Sequence, residues 1–356
     1  MNIHNFSAGP CILPKSVMKK AAESVVNYNN TGLSIMEMSH RSKDFVAVMN
    51  KAIALVKELM NVPDNYDVIF LQGGASTQFY MTALNLLPIN GKAAYINTGT
   101  WAEKAIKEAS LIGDIVEVAS SKDRNFSYIP KKNEIPADCS YLHYTTNNTI
   151  FGTQFKEMPK TNIPIIADMS SDILSQKVDV SKFDLIYAGV QKNIGPAGAT
   201  LVIIKKGILG KTGRVLPNIM DYQNHIEKES MFNTPPCFSI YVSMLTMEWL
   251  KELGGVEEIE KSNIKKAAVL YAEVDRNSLF QGTAAVEDRS LMNPTFKLLN
   301  EDLNAAFLQK TIEAGISGVK GHRSVGGYRA SMYNALPLSS VEILVKVMQD
   351  FETLNA

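Results

Sequence analysis

Apolar residues recur along the chain at two spacings, one typical of amphipathic helices and the other typical of buried strands. The helical spacing is clearest in "FVAVMNKAIALVKELM", which predicts a helix over residues 45–60. Seven short apolar runs predict strands, over residues 67–72, 93–98, 115–119, 139–145, 163–168, 184–189 and 199–205. Because helices or crossover-length segments separate these runs, we predict an α/β fold whose mainly parallel, seven-stranded sheet is covered on both faces.

The same pattern predicts further helices and a boundary between two domains. Thr100 and Glu103 have the spacing of a capping box, which predicts Thr100 as the N-cap of a helix. A helix over 239–253 ends at a glycine pair, and a long charged helix follows it to about residue 275. A strand (294–299), a helix (303–315), an arginine-bearing strand segment (322–336) and a final helix complete the chain. We predict a large domain at 16–255, a smaller α+β domain at 256–356, and an N-terminal segment, 1–15, beside the small domain and the active site.

Composition narrows the class of protein. Lysine plus arginine and aspartate plus glutamate number 36 each, so no basic field favours nucleic acid or an acidic membrane surface. Cys11, Cys139 and Cys237 are widely spaced and form no CxxC pair, which argues against a disulfide framework or a structural zinc site. The sequence shows neither a signal-peptide pattern nor an apolar run near the ~20 residues of a membrane span. We therefore expect a cytoplasmic protein that recognises small molecules.

Polar and aromatic residues follow several predicted strands, at the edge where parallel α/β sheets place their ligands. Gly73-Gly74-Ala75-Ser76 lies between a strand and a helix, so its backbone N–H groups are placed to bind a phosphate, although a Gly-Gly pair also forms ordinary turns. Trp101 begins the next helix along the chain, either as a packing residue or as a flat face for an aromatic ligand.

Asp168 and Lys192 also follow apolar strands. The aspartate has the position of a helix cap or turn former, or of a carboxylate that faces a ligand cation. The lysine is either a surface residue or an amine whose burial lowers its pKa for covalent chemistry. A phosphate site, a stacking face, a carboxylate for a ring nitrogen and a lysine for an aldehyde are together what pyridoxal phosphate requires.

Stretches from residue 6 to residue 334 resemble the phosphoserine aminotransferase family within the class V aminotransferases. They are "FSAGP", "MEMSHRSKDF", "FLQGGAS", "NTGTWAEKAIKEA", "ADMSSDILS", "YAGVQKNIGPAG", "MFNTPPCFSIY" and "KGHRSVGGYRASMYNA". The resemblance implies fold type I, pyridoxal 5′-phosphate as cofactor, and a homodimer with shared active sites. It also implies amino transfer between L-glutamate and 3-phosphohydroxypyruvate, which gives 2-oxoglutarate and O-phospho-L-serine in serine biosynthesis. A phosphorylated hydroxythreonine of vitamin B6 synthesis is a possible second substrate.

The resemblance also assigns residues to the cofactor. Lys192 would be the Schiff-base lysine, Asp168 the partner of the ring nitrogen, and Trp101 the stacking residue. The remaining cofactor contacts are Thr149 to the ring hydroxyl, and Ala75, Ser76 and Gln191 to the phosphate, joined by Asn233 and Thr234 of the other subunit.

Substrate binding is expected to depend on arginine, because a guanidinium grips a carboxylate or phosphate with two parallel hydrogen bonds. The family pattern places Arg329 on the α-carboxylate. The substrate's phosphate or the glutamate side chain would meet two His-Arg pairs, His40 with Arg41 and, across the dimer interface, His322 with Arg323. Without the resemblance, ordinary surface histidines would explain these pairs as well. Some members carry an arginine where this chain has Ser76, which would leave more of the phosphate binding to the two pairs.

Three other functions fit parts of the pattern. Another class V aminotransferase, of the alanine–glyoxylate or serine–pyruvate type, would leave the two His-Arg pairs without a phosphate to bind. A cysteine desulfurase needs a mobile cysteine, and none of the three lies in an obvious flexible loop near the C-terminal arginine. A non-catalytic protein that binds a phosphorylated metabolite would not need Lys192.

Overall fold

The computed structural model describes residues 3–132 and 134–355 of the chain. The helices within these ranges are α1 (Lys15–Val26), α2 (Lys43–Leu59), α3 (Ala75–Leu86), α4 (Thr100–Ala109), α5 (Tyr222–Glu227), α6 (Cys237–Glu252), α7 (Gly255–Arg276), α8 (Asn304–Glu313) and α9 (Leu338–Asn355). The strands are β1 (His4–Asn5), β2 (Tyr66–Gln72), β3 (Lys92–Asn97), β4 (Asp114–Ser120), β5 (Leu142–Thr145), β6 (Asn147–Asn148), β7 (Thr153–Gln154), β8 (Ile165–Asp168), β9 (Leu185–Gly189), β10 (Ala199–Lys205), β11 (Phe280–Gly282), β12 (Thr295–Leu298), β13 (Ile316–Ser317) and β14 (Tyr328–Arg329).

A seven-stranded sheet with the order β2-β10-β9-β8-β5-β3-β4 organises the chain between α2 and α6. Strand β10 is antiparallel to both of its neighbours, and the other neighbouring pairs are parallel. The predicted mainly parallel sheet is thus confirmed. Its strands β5, β8 and β9 lie side by side, so their carboxyl ends meet at one edge.

Helices cover both faces of this sheet, because alternate residues of its strands point to opposite sides. In β2, Phe70 packs in a cluster with Phe45 of α2 and Ile240 of α6. The next residue, Leu71, packs in the opposite cluster with Phe79 of α3. The predicted coverage by helices on both faces is therefore confirmed.

The C-terminal part of the chain builds a second core. An antiparallel sheet with the order β11-β12-β14 packs under α7, α8 and α9, and Phe6 of the N-terminal segment joins the same apolar cluster. Strand β1 also pairs with β13. Helix α7 contacts both cores, since Ile259 packs with the large-sheet cluster and Leu270 with the C-terminal one. Among the described residues, no helix has the length and apolar character needed to cross a membrane.

Two local predictions were wrong. The N-cap of α4 is Gly99 rather than Thr100, and the side chain of Glu103 bonds Lys122 instead of closing a capping box. A side chain at Gly99 would collide with Phe151, whose ring lies 3.0 Å from the position of an added Cβ. The strand segment predicted at 322–336 shortens to β14, because Gly326 and Gly327 adopt left-handed backbone angles in the preceding turn.

Lys266 of α7 holds the segment that follows β14. Its buried Nζ donates hydrogen bonds to the backbone carbonyls of Met332 (3.1 Å), Tyr333 (2.9 Å) and Leu336 (3.1 Å). Burial lowers the pKa of Lys266 to about 7. The Tyr333 carbonyl also accepts a hydrogen bond from the Leu336 N–H, at 2.9 Å. The buried amine thus adds a donor to all three carbonyls, and buried polar groups are costly without one.

The substitution Lys266→Met is expected to lower the free energy of unfolding by about 2–4 kcal/mol, because buried carbonyls that lose a donor are costly. Lys265→Met provides the matched control, since Lys265 is the exposed neighbour on α7 and should change stability by less than about 0.5 kcal/mol. Urea denaturation followed by circular dichroism measures both. Equal effects of the two substitutions would contradict the structural role of Lys266.

Candidate active site

A cavity of about 260 Å³ lies at the carboxyl ends of β5, β8 and β9. The sequence-predicted residues that line it are Ala75, Ser76, Trp101, Thr149, Asp168, Gln191, Lys192, His322 and Arg329. The N-terminal segment closes one side through Ala8 and Gly9. A larger groove of about 870 Å³ between α1, α2 and α6 contains none of the predicted site residues.

Lys192 lies in the tight turn between β9 and β10, and only 9% of it is exposed. Its Nζ donates a hydrogen bond to Thr149 Oγ1 at 3.0 Å. Burial lowers the pKa of the amine to about 8; the charge of Arg329 also lowers it, whereas Asp168 and Asp172 raise it. Lys192 is thus a buried amine that loses its proton near pH 8, well below the range of an ordinary lysine. The alternative of a surface lysine is wrong.

Asp168 ends β8 and is buried beside this amine. Its Oδ1 accepts hydrogen bonds from the backbone N–H and the hydroxyl of Ser170, at 2.9 and 2.6 Å. Burial raises the pKa of Asp168, while the Ser170 hydrogen bonds and the charge of Lys192 lower it. The carboxylate is therefore fixed in orientation and is available to a cation in the cavity.

The glycine turn leads directly into α3. Gly73 adopts a left-handed conformation, and the N-cap Gly74 offers no side-chain hydrogen bond to the helix. The first N–H groups of a helix have no intrahelical acceptor, and they favour an anion. Gln191 lies against the end of β9 on the cavity wall, where an added Cβ at Gly189 would come within 2.6 Å of its Oε1. This part of the cavity fits a phosphate.

Trp101 stands at the beginning of α4, where its ring is only partly buried. The ring packs with Phe126, Ile150 and Phe151, and its Nε1 has no hydrogen-bond partner in the described part of the chain. Lys104 Nζ lies 4.6 Å from the ring centroid. Trp101 thus has packing contacts and also borders the cavity, as a stacking residue must.

Arg329 places a guanidinium on the cavity wall. Its Nη1 donates to the Thr149 carbonyl at 3.3 Å, and its buried Nε has no partner within residues 3–132 and 134–355. Burial lowers the pKa of Arg329, but a guanidinium remains charged in proteins. Thr149 therefore contacts Lys192 through its hydroxyl and Arg329 through its carbonyl.

The remaining predicted residues have mixed positions. His322 borders the cavity of its own chain, where burial and the charge of Arg329 lower its pKa; this differs from the expectation that it acts across the dimer interface. The others lie outside this cavity: His40, Arg41, Arg323, Asn233 and Thr234. The backbone carbonyls of Asn233 and Thr234 accept hydrogen bonds from the side chain of Gln72. Roles for these residues in a partner's site stay predictions.

Several residues of the site were missed by the sequence analysis. Ser170 follows Asp168 by two positions, a spacing typical of a side chain that bonds the backbone in a turn. Cys11 donates from Sγ to the Lys192 carbonyl at 2.8 Å, and burial raises the pKa of its thiol to about 12. His143 could have been noticed from the sequence, since a histidine within an apolar strand needs a buried hydrogen-bond partner.

These residues fit pyridoxal phosphate. The α3 N-terminus suits the phosphate, the Trp101 ring provides a flat face, and Asp168 offers a carboxylate to the ring nitrogen. The buried amine of Lys192 suits the aldehyde.

Comparisons with known proteins agree with this geometry. The sequence pattern of the family "Aminotransferase class-V" matches residues 3–344. The chain is 60% identical to the phosphoserine aminotransferase of Flavobacterium psychrophilum, over 99% of both chains. It is 54% identical to that of Bacteroides thetaiotaomicron over 100% of both chains. A solved structure of the phosphoserine aminotransferase from Bacillus circulans subsp. alkalophilus is 44% identical, with a TM-score of 0.97 over 100% of this chain and 99% of that one.

The chain therefore belongs to the class V aminotransferase family. The predicted fold type is confirmed by the same comparisons.

The lowered pKa of Lys192 predicts how the cofactor-free protein takes up pyridoxal phosphate. Only the neutral amine attacks an aldehyde, so the rate should rise with pH and level off above about 8. Stopped-flow absorbance measures this rate. The control is the labelling of surface lysines in Lys192→Ala, since these lysines should react with the ordinary lysine pKa of about 10.5. A midpoint for the cavity reaction near that of ordinary amines would contradict the assignment.

Proposed function

We propose that this chain is a phosphoserine aminotransferase, which transfers an amino group between L-glutamate and 3-phosphohydroxypyruvate in serine biosynthesis. The products are 2-oxoglutarate and O-phospho-L-serine. The observation that carries the proposal is the single cavity that a buried lysine amine, a strand-end carboxylate and an arginine all line. Relatives that bear this name are 54–60% identical over the whole chain.

Pyridoxal phosphate is the cofactor. When bound, it supplies an aldehyde for the amino group and a protonated ring that withdraws electrons from the substrate Cα. In our proposal Ala75, Ser76 and Gln191 hold its phosphate, Trp101 stacks on its ring, and Thr149 bonds its ring hydroxyl. Asp168 keeps the ring nitrogen protonated by pairing with it.

Lys192 moves the proton. In the proposal its Nζ would accept the proton that leaves the Cα of the amino donor and pass it to the bound cofactor. In the second half of the reaction the same nitrogen would take that proton back from the cofactor and deliver it to the Cα of the new amino acid. A general base works best with a pKa near the working pH, and burial brings the pKa of Lys192 to about 8. The Thr149 hydroxyl, 3.0 Å from Nζ, orients the amine.

Arg329 recognises the α-carboxylate that every substrate of this reaction carries. Its Nε, which has no partner among the described residues, and its terminal nitrogens provide the fork of donors for a bidentate contact. His322 borders the same cavity, and in the proposal it adds a donor for the distal phosphate or carboxylate. Arg323 and the His40–Arg41 pair complete this anion site in the proposal.

The proposed assembly is a cytoplasmic homodimer in which each subunit contributes to its partner's site. Asn233 and Thr234 are exposed and lie outside the cavity of their own chain. This arrangement leaves them accessible to the phosphate site of a second copy. We also keep the division into residues 1–15, 16–255 and 256–356 as a proposal, supported by the two separate apolar cores.

The substitution Lys192→Ala should abolish steady-state transamination, because both the covalent attachment point and the base are lost. Lys160→Ala, at an exposed loop position, should retain activity. A coupled assay of 2-oxoglutarate formation measures both variants. Substantial turnover by Lys192→Ala would contradict the proposed role.

Substrate choice is tested by half-transamination of the cofactor-loaded enzyme with single amino acids. O-phosphoserine and glutamate should react at least about 100-fold faster, by kcat/KM, than serine or alanine, since lost charge-assisted bonds cost a few kcal/mol. Phosphohydroxythreonine, the second substrate considered for vitamin B6 synthesis, is tested in the same assay. Faster reaction of serine or alanine would favour another aminotransferase of this class, and no uptake of pyridoxal phosphate would favour a binding protein.

Shared sites predict complementation between two defective variants. Mixing Lys192→Ala with the double variant Asn233→Ala, Thr234→Ala should form heterodimers with one intact site. Activity at limiting pyridoxal phosphate should then exceed the sum of the parents after subunit exchange. Activity that never exceeds that sum would show that Asn233 and Thr234 do not serve the partner's site.

A further inference from the structure

Three buried asparagines that the proposed mechanism does not use meet at one stretch of backbone, residues 173–175. They are Asn193, Asn263 and Asn334, which we call the asparagine joint, and none of them is more than 5% exposed. Each comes from a different part of the chain. Asn193 follows Lys192 in the turn after β9, Asn263 lies in α7, and Asn334 lies in the segment after β14.

Each member of the joint donates a hydrogen bond to one of three consecutive backbone carbonyls. The pairs, with their Nδ2-to-oxygen distances, are Asn193 to Ile173 (2.9 Å), Asn334 to Leu174 (2.8 Å) and Asn263 to Ser175 (3.0 Å). Within the described ranges these are the only donors bonded to the three carbonyls. Since residues 173–175 are buried, the carbonyls would be costly without these donors.

The asparagines also bond one another. A carbonyl oxygen only accepts, so each Nδ2 must face residues 173–175. Asn334 Oδ1 is then free to accept from Asn263 Nδ2, at 2.9 Å, and Asn193 Oδ1 accepts from the backbone N–H of Asn334, at 3.0 Å. The loss of any one side chain therefore leaves both a buried carbonyl and a polar group of another member without its partner.

The backbone that receives these bonds is strained. Leu174 has a left-handed φ of 57°, which is unfavourable for a residue other than glycine. Such a conformation persists only where its surroundings impose it, and strain of this kind clusters at functional sites. The three amide bonds and the burial of the Leu174 side chain in the large-sheet cluster supply that constraint.

The joint connects the backbone of two residues that line the cavity. Lys192 directly precedes Asn193, and β14, which contains Arg329, leads into the segment of Asn334. The described residues that line the cavity do not include any member of the joint. The joint thus ties the turn that bears the amine to the segment that follows the guanidinium, without bordering the space for a substrate.

We propose that the asparagine joint sets the distance between the Lys192 amine and the Arg329 guanidinium. This inference rests on the proposed function, in which Arg329 holds the substrate carboxylate and Lys192 accepts the Cα proton. Because the carboxylate is bonded directly to Cα, the position of the guanidinium decides whether that proton lies within reach of Nζ. Thr149 contacts both groups inside the cavity, whereas the joint holds the backbone that carries them. Its members are positioning residues.

Asn334→Ala tests this role in the cofactor-loaded enzyme. Half-transamination with glutamate or O-phosphoserine alone is followed by stopped-flow absorbance. The maximal rate constant should fall at least about tenfold, since a displacement of ~1 Å between reacting groups can cost about 100-fold. The substrate concentration that gives half of the maximal rate should change less than about threefold, because Arg329 still binds the carboxylate.

Asn277→Ala is the matched control. Asn277 is also buried, and its Nδ2 donates to the Met348 carbonyl at 3.2 Å, within the C-terminal core. Its maximal rate constant should stay within about twofold of that of the unaltered enzyme, because distant sites act independently. Equal rate losses in Asn334→Ala and Asn277→Ala would indicate general destabilisation and overturn the inference. An unchanged maximal rate in Asn334→Ala overturns it as well.

Asn263→Ala tests the same role if Asn334→Ala does not fold. It removes one member and leaves the bonds of the other two to the backbone in place. The maximal rate constant should again fall more than the half-saturating concentration rises, by a smaller factor than in Asn334→Ala. The opposite pattern, weaker binding with an unchanged maximal rate, overturns the inference.

A further measurement does not depend on the cofactor. In the cofactor-free protein, Asn193→Ala removes the acceptor of the Asn334 N–H, so hydrogen exchange of that N–H should speed up about tenfold or more. Asn277→Ala should leave it unchanged. Equal exchange in Asn193→Ala and the unaltered chain overturns the inference. A chain that takes up no pyridoxal phosphate would refute the proposed function, while this exchange would still decide whether the joint holds the two segments together.

Discussion

An amine and a carboxylate share one buried cavity, and the charge of each makes burial of the other less costly. Burial lowers the pKa of Lys192 and raises that of Asp168, whereas their mutual attraction has the opposite effect on both. The two groups meet because β8 ends at Asp168 and its neighbour β9 ends just before Lys192. Because β8 and β9 are parallel, Asp168 and Lys192 reach the same cavity. The glycine turn, Trp101 and Arg329 border that cavity as well.

Much of this arrangement could be predicted because its signals are local. Apolar runs marked the strands, and residues that follow such runs must gather at one edge of a parallel sheet. That rule selected Asp168 and Lys192 before any contact was known. The prediction of Thr100 as the N-cap was wrong although its spacing to Glu103 is that of a capping box. The N-cap is Gly99, where the ring of Phe151, distant in sequence, leaves no room for a side chain.

The unpredicted parts depend on contacts between distant segments. Tyr187 is one of many aromatic residues in apolar runs, and only the sheet order brings it to His143 across β8. Lys266 stands beside Lys265 in a charged stretch, and the sequence cannot distinguish the buried lysine from the exposed one. The difference arises where α7 passes over the backbone after β14. The proposed roles of Asn233 and Thr234 in a partner's site depend on a second chain, which local pattern does not reveal.

Arg329 also affects the amine on the far side of Thr149. Its positive charge lowers the pKa of Lys192. In the proposed function a substrate carboxylate that pairs with the guanidinium would cancel much of that charge, so the pKa of the amine should rise when a substrate binds. Recognition and reactivity are then electrostatically coupled without any movement of the backbone. A molecule that lacks the carboxylate would bind weakly and would also leave the lysine a poorer base.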